Sequence, residues 1–253
     1  MSQLIEKLKG AARQEGQSLG FKAHLAARSP SMVLVIRLPK EDVPPMTALA
    51  SVDAVLLEVK GLDSDAALSK AAVRRFGVTP WGVLSKKLNR EEASHLKEAG
   101  CDFMVFPTMG TPVSALKQEG VGRIMSIPTT LEDSLAAAIN ELPVDAVLIH
   151  GEEEPFLTVQ SLMSIQRLTG ILKIPALAAI PPESGGEELE ALKLAGLSGV
   201  VLALKSAQVE SKVKELRQAI NDLPSEGKKQ RARRAALLPS ASIEESSPLE
   251  EEL

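Results

Sequence analysis

The sequence is poor in several residue types, and each shortage excludes a class of protein. It has one cysteine, Cys101, so an internal disulfide is impossible and a reducing compartment is favoured. Aromatic residues make up 2% of the chain, without a single tyrosine, and therefore Leu, Val, Ile and Ala must fill the core. Three histidines and no cysteine pair leave no zinc-binding pattern. A glycine-rich strand–helix turn of the dinucleotide-binding type is also missing.

Long apolar runs are missing as well. None approaches the ~18 residues of a membrane span, and the N-terminal MSQLIEKLKGAARQEG is too polar for a signal peptide. The net charge of −4 argues against attraction of the whole surface to nucleic acid or anionic lipid. We therefore expect a cytoplasmic protein with neither a membrane nor a nucleic-acid partner. The sequence does not indicate an oligomeric state.

Short, continuously apolar, β-branched runs recur along the chain. Continuous apolarity is typical of parallel strands with both faces covered, and helical patterns lie between the runs. Eight strand–helix units predict a single (β/α)₈ barrel, with a doubly wound open sheet as the second choice. The predicted strands are 32–36, 54–59, 81–85, 103–107, 123–127, 146–150, 175–180 and 199–204.

Two pairs of segments resemble each other across the chain. VDAVLLEVKG begins at 52 and VDAVLIHGEE at 144, while EEASHLKEAG at 91 is similar to EELEALKLAG at 187. These matches pair strand 2 with strand 6, and the helix before strand 4 with the helix before strand 8. A half-barrel repeat gives such a pairing, although barrel units also share composition without one.

The two ends of the chain are predicted to be additions to the barrel. Residues 1–30 hold a helix with one apolar stripe (Leu4, Ile5, Leu8, Ala11 and Ala12), expected over the barrel bottom, and a lead-in. Residues 31–223 form the barrel. Residues 224–253 carry a basic cluster and then an acidic Ser/Pro-rich end, which predicts a disordered polyampholyte tail.

Chemistry in such a barrel is expected at the C-terminal ends of the strands, where the loops converge on one mouth. The polar residues there that could bind substrate are Arg37, Lys60, Lys86, Lys205 and Ser206. Lys60 and Lys205 are also candidates for a Schiff base. Cys101 precedes strand 4 at the opposite end, and a buried structural thiol is predicted there.

Glu58 and His150 occupy matching positions at the ends of strands 2 and 6. Side chains alternate along a strand, so Glu58 shares a face with Leu56, and His150 with Leu148. If that face is the inner one, the two side chains look at each other across the mouth as an acid–base pair. The alternative is that His150 bonds a loop carbonyl and Glu58 pairs with a neighbouring lysine.

The segment IPALAAIPPESGGEELEALKLAGLSGVVLALKSA resembles the last two units of ribulose-phosphate-binding and flavin-binding barrels. That resemblance implies a phosphate held by Ser184, Gly185 and Gly186 after strand 7 and by Lys205 and Ser206 after strand 8. The pattern departs from the family at Pro181 and Pro182, which have no amide hydrogen to donate, and at Lys205, where the family has glycine before the serine. Ser184 is alternatively a plain helix cap.

Three functions remain open from the sequence. The first is a lyase or isomerase acting on a small phosphorylated metabolite, with Glu58 and His150 as acid and base and no cofactor. The second is a barrel that uses the same loops to hold the phosphate of FMN. The third is a non-catalytic barrel, descended from such enzymes, that acts through partner binding.

Overall fold

Eight parallel strands close into a barrel in sequence order, with β1 paired to β8. The structure is a computed structural model of the chain, and it describes residues 2–13, 31–39, 42–59, 76–85, 89–117, 119–151 and 154–223. The strands are β1 Val33–Pro39, β2 Ala54–Val59, β3 Trp81–Ser85, β4 Phe103–Pro107, β5 Gly122–Pro128, β6 Ala146–His150, β7 Ala176–Ile180 and β8 Gly199–Ala203. The predicted (β/α)₈ barrel is confirmed, and the open sheet is wrong.

Helices follow most of the described strands. The α-helices are α1 Gln3–Arg13, α2 Arg90–Glu98, α3 Asp133–Ile139, α4 Val159–Ile171, α5 Gly186–Leu194 and α6 Ser206–Asp222. A 3₁₀ helix, Met46–Leu49, follows β1, where the sequence leaves room for only a short helix. A second one, Val113–Lys117, follows β4 and departs from the regular alternation that the sequence predicts.

The barrel interior is filled by side chains from alternate strand positions and by α1. Leu56, Phe103 and Leu148 belong to one buried cluster with Leu4 and Leu8 of α1. The helix therefore closes the bottom of the barrel, as its apolar stripe predicts. The N-terminal end of α1 is held by Asp102, which accepts hydrogen bonds from the Ser2 hydroxyl at 2.8 Å and the Leu4 amide at 3.0 Å.

The approach of α1 to the barrel explains the glycine at the start of β5. A methyl group placed on Gly122 would lie 2.7 Å from Cγ1 of Ile5 and 2.8 Å from Oγ of Ser2. Contacts this short would push α1 away from the strand ends. A residue without a Cβ is therefore required where the helix crosses β5.

The half-barrel similarity extends to hydrogen bonds. Asp53 precedes β2 and accepts the amide hydrogen of Leu34 in β1 at 2.9 Å. Asp145 precedes β6 and accepts the amide hydrogen of Arg123 in β5 at 2.9 Å. In both places a carboxylate at the bottom of one strand binds the preceding strand, which is what a structural repeat of units 1–2 in units 5–6 implies.

Several sequence predictions fall outside the described residues. These include most of the lead-in to the barrel and all of 224–253, so the three proposed regions stay predictions. Within the part of the chain that the structure describes, no helix is long and apolar enough to cross a membrane.

Candidate functional site

Three ionisable side chains of the described residues lie on the inner face of the barrel at its mouth. Val35, Leu56 and Leu148 point into the barrel interior. Because side chains alternate, the residues two positions further along these strands are also directed inward, now at the C-terminal rim. They are Arg37 of β1, Glu58 of β2 and His150 of β6. The role of Glu58 and His150 as an acid–base pair stays a prediction.

Arg37 and Glu58 form an ion pair across the β1–β2 junction. The distance from Nε of Arg37 to Oε2 of Glu58 is 3.9 Å, and the two side chains are 32% and 45% exposed. A pair this open to water contributes at most about 1 kcal/mol to stability. Glu58 therefore pairs with Arg37, and Lys60, the neighbouring lysine of the alternative interpretation, lies outside the described residues.

His150 is tuned toward its neutral form. Partial desolvation, and then the positive charge of Arg37, hold the pKa of the imidazole below its usual value near 6.5. Both causes disfavour the imidazolium. At neutral pH the ring is therefore uncharged and has a nitrogen able to accept a proton. The positive charge of Arg37 therefore acts electrostatically on His150 from another strand of the barrel.

A ligand at this site must lie above the packed interior. A cavity in the barrel interior has a volume of about 10 Å³ and is lined by apolar side chains such as Phe103 and Ile124. That is about the space of one water molecule. A bound molecule would therefore rest at the level of Arg37, Glu58 and His150, with the apolar layer as its floor.

Ser126 is a mouth residue that the sequence analysis missed. It lies in β5 two positions beyond the interior residue Ile124, and it is partly exposed. The alternation rule that identified Glu58 and His150 also identifies Ser126. It was missed because it lies inside the apolar run 123–127 and not at its end. Two of the predicted lysines, Lys60 and Lys86, lie outside the described residues.

Two backbone amides of the loop after β7 are already hydrogen-bonded within the chain. The amide of Gly185 donates to Oε2 of Glu188 at 3.0 Å, as part of a helix cap. The amide of Ser184 donates to the Pro181 carbonyl at 3.2 Å. The Ser184 hydroxyl is buried and has no hydrogen-bond partner among the residues that the structure describes. Ser184 is therefore not the residue that caps α5, since Gly185 occupies that position.

The two halves of the predicted phosphate site do not converge. A methyl group placed on Gly186 would lie 3.6 Å from Cβ of Ala219, near the end of α6. Ser206 begins the same helix, thirteen residues earlier, which corresponds to about 20 Å along the axis. The start of α5 therefore packs beside the lower part of α6, far from Lys205 and Ser206.

The N-terminus of α6 is occupied by a carboxylate from the chain itself. Oδ2 of Asp42 accepts the amide hydrogen of Ser206 at 2.9 Å, and the Ser206 hydroxyl donates to Oδ1. These bonds, and the charge of Lys205, hold the pKa of Asp42 below its usual value. Asp42 thus fills the position at a helix start where a phosphate would bind. This residue was also missed, because nothing in the sequence links 42 to 206.

The described residues do not fit the other chemistries that were open. A flavin phosphate would need the amides after β7, but Gly185 is engaged and Pro181 has no amide hydrogen. No group of three or more His, Cys, Asp or Glu in the described ranges could hold a metal ion. Cys101 is buried, and desolvation raises its pKa to about 12. The predicted structural thiol is therefore confirmed.

Solved structures share this architecture. Two mutant tryptophan synthase alpha-subunits from the hyperthermophile Pyrococcus furiosus align with 17% identity each. They cover 76% and 81% of this chain and 97% and 98% of theirs, at TM-scores of 0.56 and 0.55. A cube-shaped porous cage designed by fusing symmetric oligomeric domains aligns at 20% identity, 81% and 77% coverage, and a TM-score of 0.55. The likeness is one of fold. No family model and no curated protein matches the chain.

Proposed function

We propose that the chain is a lyase or isomerase that acts on a small phosphorylated metabolite at the barrel mouth, with His150 and Glu58 exchanging protons with the substrate. The observation that carries this proposal is the inward convergence of Arg37, Glu58 and His150, together with the lowered pKa of His150. A neutral imidazole and a carboxylate on opposite sides of one bound molecule suit proton abstraction on one face and proton return on the other.

Arg37 would bind the anionic part of the substrate. Its guanidinium is 3.9 Å from Glu58, a loose contact that a phosphate or carboxylate could replace with two parallel hydrogen bonds. Lys205 lies next to it, because the amide of Leu204 donates to the Arg37 carbonyl at 3.1 Å. Two cations at adjacent strand ends therefore supply the charge that the loop after β7 does not.

A ligand screen by thermal shift tests the proposal. A phosphorylated metabolite that binds the folded barrel must raise its melting temperature. When the free ligand concentration is a hundred times Kd, the unfolding free energy increases by about 2.7 kcal/mol. We expect Arg37→Gln to abolish the shift for any hit, whereas Arg90→Gln on exposed α2 should retain it. Turnover of the hit should then fall at least a hundredfold in His150→Gln and in Glu58→Gln.

A non-catalytic barrel is the second candidate, and one observation favours it. The polar groups that hold phosphate in the resembling families are here engaged with the chain's own carboxylates, Gly185 with Glu188 and Ser206 with Asp42. A protein that had lost its substrate could retain this arrangement. Failure of every phosphorylated metabolite to shift the melting temperature, with Arg37 intact, would favour this candidate over the enzyme.

A further inference from the structure

The outer face of β4 and β5 is covered less fully than a regular barrel unit would cover it. The 3₁₀ helix Val113–Lys117 has five residues and α3 has seven, so each spans about 10 Å. The seven residues of β5 extend about 23 Å. The two short helices leave between them a pocket of about 440 Å³, which we call the outer pocket.

The outer pocket has an apolar floor and two apolar walls. Phe106 and Met125 form the floor, and each is at most 5% exposed. Val113 of the 3₁₀ helix and Leu135 of α3 line opposite walls, yet they are 76% and 55% exposed. Covering these large, exposed apolar side chains with an apolar molecule is favourable, because it removes their surface from water.

The outer pocket has the dimensions of a small-molecule site. Its volume lies within the roughly 300–1,000 Å³ that is typical of such sites, and its lining is predominantly apolar, as theirs is. It lies outside the sheet, whereas Arg37, Glu58 and His150 lie inside, so its occupation is independent of chemistry at the mouth.

The charge at the lower end of the outer pocket selects the ligand. Lys117 is the one charged side chain among the described residues that line it, and no acid lines it. The hydroxyl of Thr111 donates to the Pro107 carbonyl at 2.8 Å and is therefore already engaged. An ammonium group at the end of an apolar groove matches a molecule with an apolar body and one anionic end.

We infer that the outer pocket binds a small amphipathic anion of the medium-chain carboxylate class, with the chain along Phe106 and Met125 and the carboxylate at Lys117. Nothing in the proposed function of the mouth requires this site. Each buried methylene should raise the affinity up to about fourfold, so octanoate should bind up to about fifteenfold more tightly than hexanoate.

Calorimetric titration of the full chain with octanoate, hexanoate and 1-octanol tests the inference. Ala138 lines the outer pocket and its neighbour Ala137 does not, although both are exposed on α3. Ala138→Trp should fill the outer pocket and weaken octanoate binding at least tenfold, whereas Ala137→Trp should leave it unchanged. Lys117→Gln should reduce octanoate affinity to that of 1-octanol, with Lys173→Gln as the matched control.

A second variant keeps the test decisive if Ala138→Trp fails to fold. Val113→Asp places a negative charge on an exposed wall and should repel octanoate at least tenfold, while Val78→Asp, 95% exposed elsewhere, should not. Equal binding to wild type and Val113→Asp would overturn the inference, as would 1-octanol binding as tightly as octanoate. A dimer that Val113→Asp dissociates, without octanoate uptake, would assign the face to a second copy and also overturn it.

Discussion

Arg37 is the residue through which the two sides of the mouth affect each other. It pairs with Glu58 on the neighbouring strand, and its charge adds to the desolvation that lowers the pKa of His150. A single guanidinium thus pairs with one group and disfavours the charged form of the other. Replacing Arg37 by a neutral residue should therefore remove the partner of Glu58 and raise the pKa of His150.

We predict that Arg37→Gln raises the pKa of His150. The loss of a nearby positive charge removes repulsion against the imidazolium, so the ring should bind its proton at higher pH. An NMR titration of the histidine ring protons measures this, with His150→Asn assigning the signal among the three histidines. Arg90→Gln should leave the titration unchanged. A His150 pKa that stays the same or falls in Arg37→Gln would contradict the coupling.

The contact between Asp42 and Ser206 predicts a pH-dependent stability. The pKa of Asp42 is lowered in the fold from its ordinary 3.8, so the carboxylate stabilises the protein fully above that pH. This contribution is lost as the pH falls through the lower folded pKa. Asp42→Asn should therefore melt below wild type at pH 7, and the difference should vanish toward pH 2.

Asp222→Asn is the matched control for Asp42→Asn. Asp222 is exposed at the last turn of the same helix, where a negative charge faces the negative end of the dipole. Neutralising it should leave the melting temperature unchanged or raise it slightly. A fall equal to that of Asp42→Asn would show that helix charge in general, and not the Ser206 contact, sets the stability.

Individual mouth residues were predictable where strand alternation alone decides their direction. Glu58 and His150 follow buried residues of the inner face by two positions, and this pattern is visible in the sequence. Asp42 could not be found in the same way, because its partner Ser206 is 164 positions away. Pairings made by tertiary folding leave no local pattern for the sequence to show.

At the scale of elements, strands were easier to place than helix starts. Continuous apolar runs gave the strand bounds to within three residues, since both faces are covered in a barrel. At the start of α2 a local pattern does match the structure, because Asn89 and Glu92 form a reciprocal cap. The pattern is specific when both bonds can form within one turn.

Two other sequence signals for a helix start lie before the helix that follows them. Thr129 matches a cap spacing, but α3 begins only at Asp133, after a turn that contains Thr129. Pro155 precedes α4, which begins at Val159 because the Thr158 hydroxyl accepts the Ser161 amide hydrogen at 3.1 Å. Several cap candidates compete in each loop, and the tertiary position of the loop decides among them.

The helix α1 carries a prediction of its own. Leu8 is fully buried against the barrel interior, so Leu8→Ala should leave a cavity and cost about 2–5 kcal/mol of unfolding free energy. Urea denaturation measures the loss. Gln3→Ala, on the exposed side of the same helix, should change stability by less than about 0.5 kcal/mol. Equal effects of the two substitutions would mean that α1 does not close the barrel in solution.

At the scale of the whole molecule, the two halves of the barrel have matching carboxylates, Asp53 and Asp145, with different side chains around them. Asp53 binds the β1 backbone, Arg217 of α6 at 2.7 Å and Lys7 of α1 at 3.3 Å. Among the described residues, Asp145 binds the β5 backbone and the side chain of Arg123. The first half of the barrel therefore carries the junction between the N-terminal helix, the last helix and the sheet.

We predict that Asp53→Asn destabilises the barrel more than Asp145→Asn. The Asp53 side chain is 11% exposed and that of Asp145 is 25% exposed, so the first lies in the lower dielectric. Loss of its charge should cost about 2–4 kcal/mol, somewhat below the ~3–5 kcal/mol of a fully buried pair. Asp145→Asn should cost about half as much, because Asp145 is itself nearer to water and pairs with Arg123, whereas Asp53 pairs with both Arg217 and Lys7. Urea denaturation of both variants at neutral pH measures which loses more unfolding free energy. Arg217→Gln should reproduce part of the loss caused by Asp53→Asn. In the double variant the loss should be less than the sum of the two single losses, because the two residues contact each other. If the two substitutions lowered the unfolding free energy equally, the two halves of the barrel would be equivalent in stability as well as in sequence. The contacts of α1 and α6 with Asp53 would then not contribute to stability.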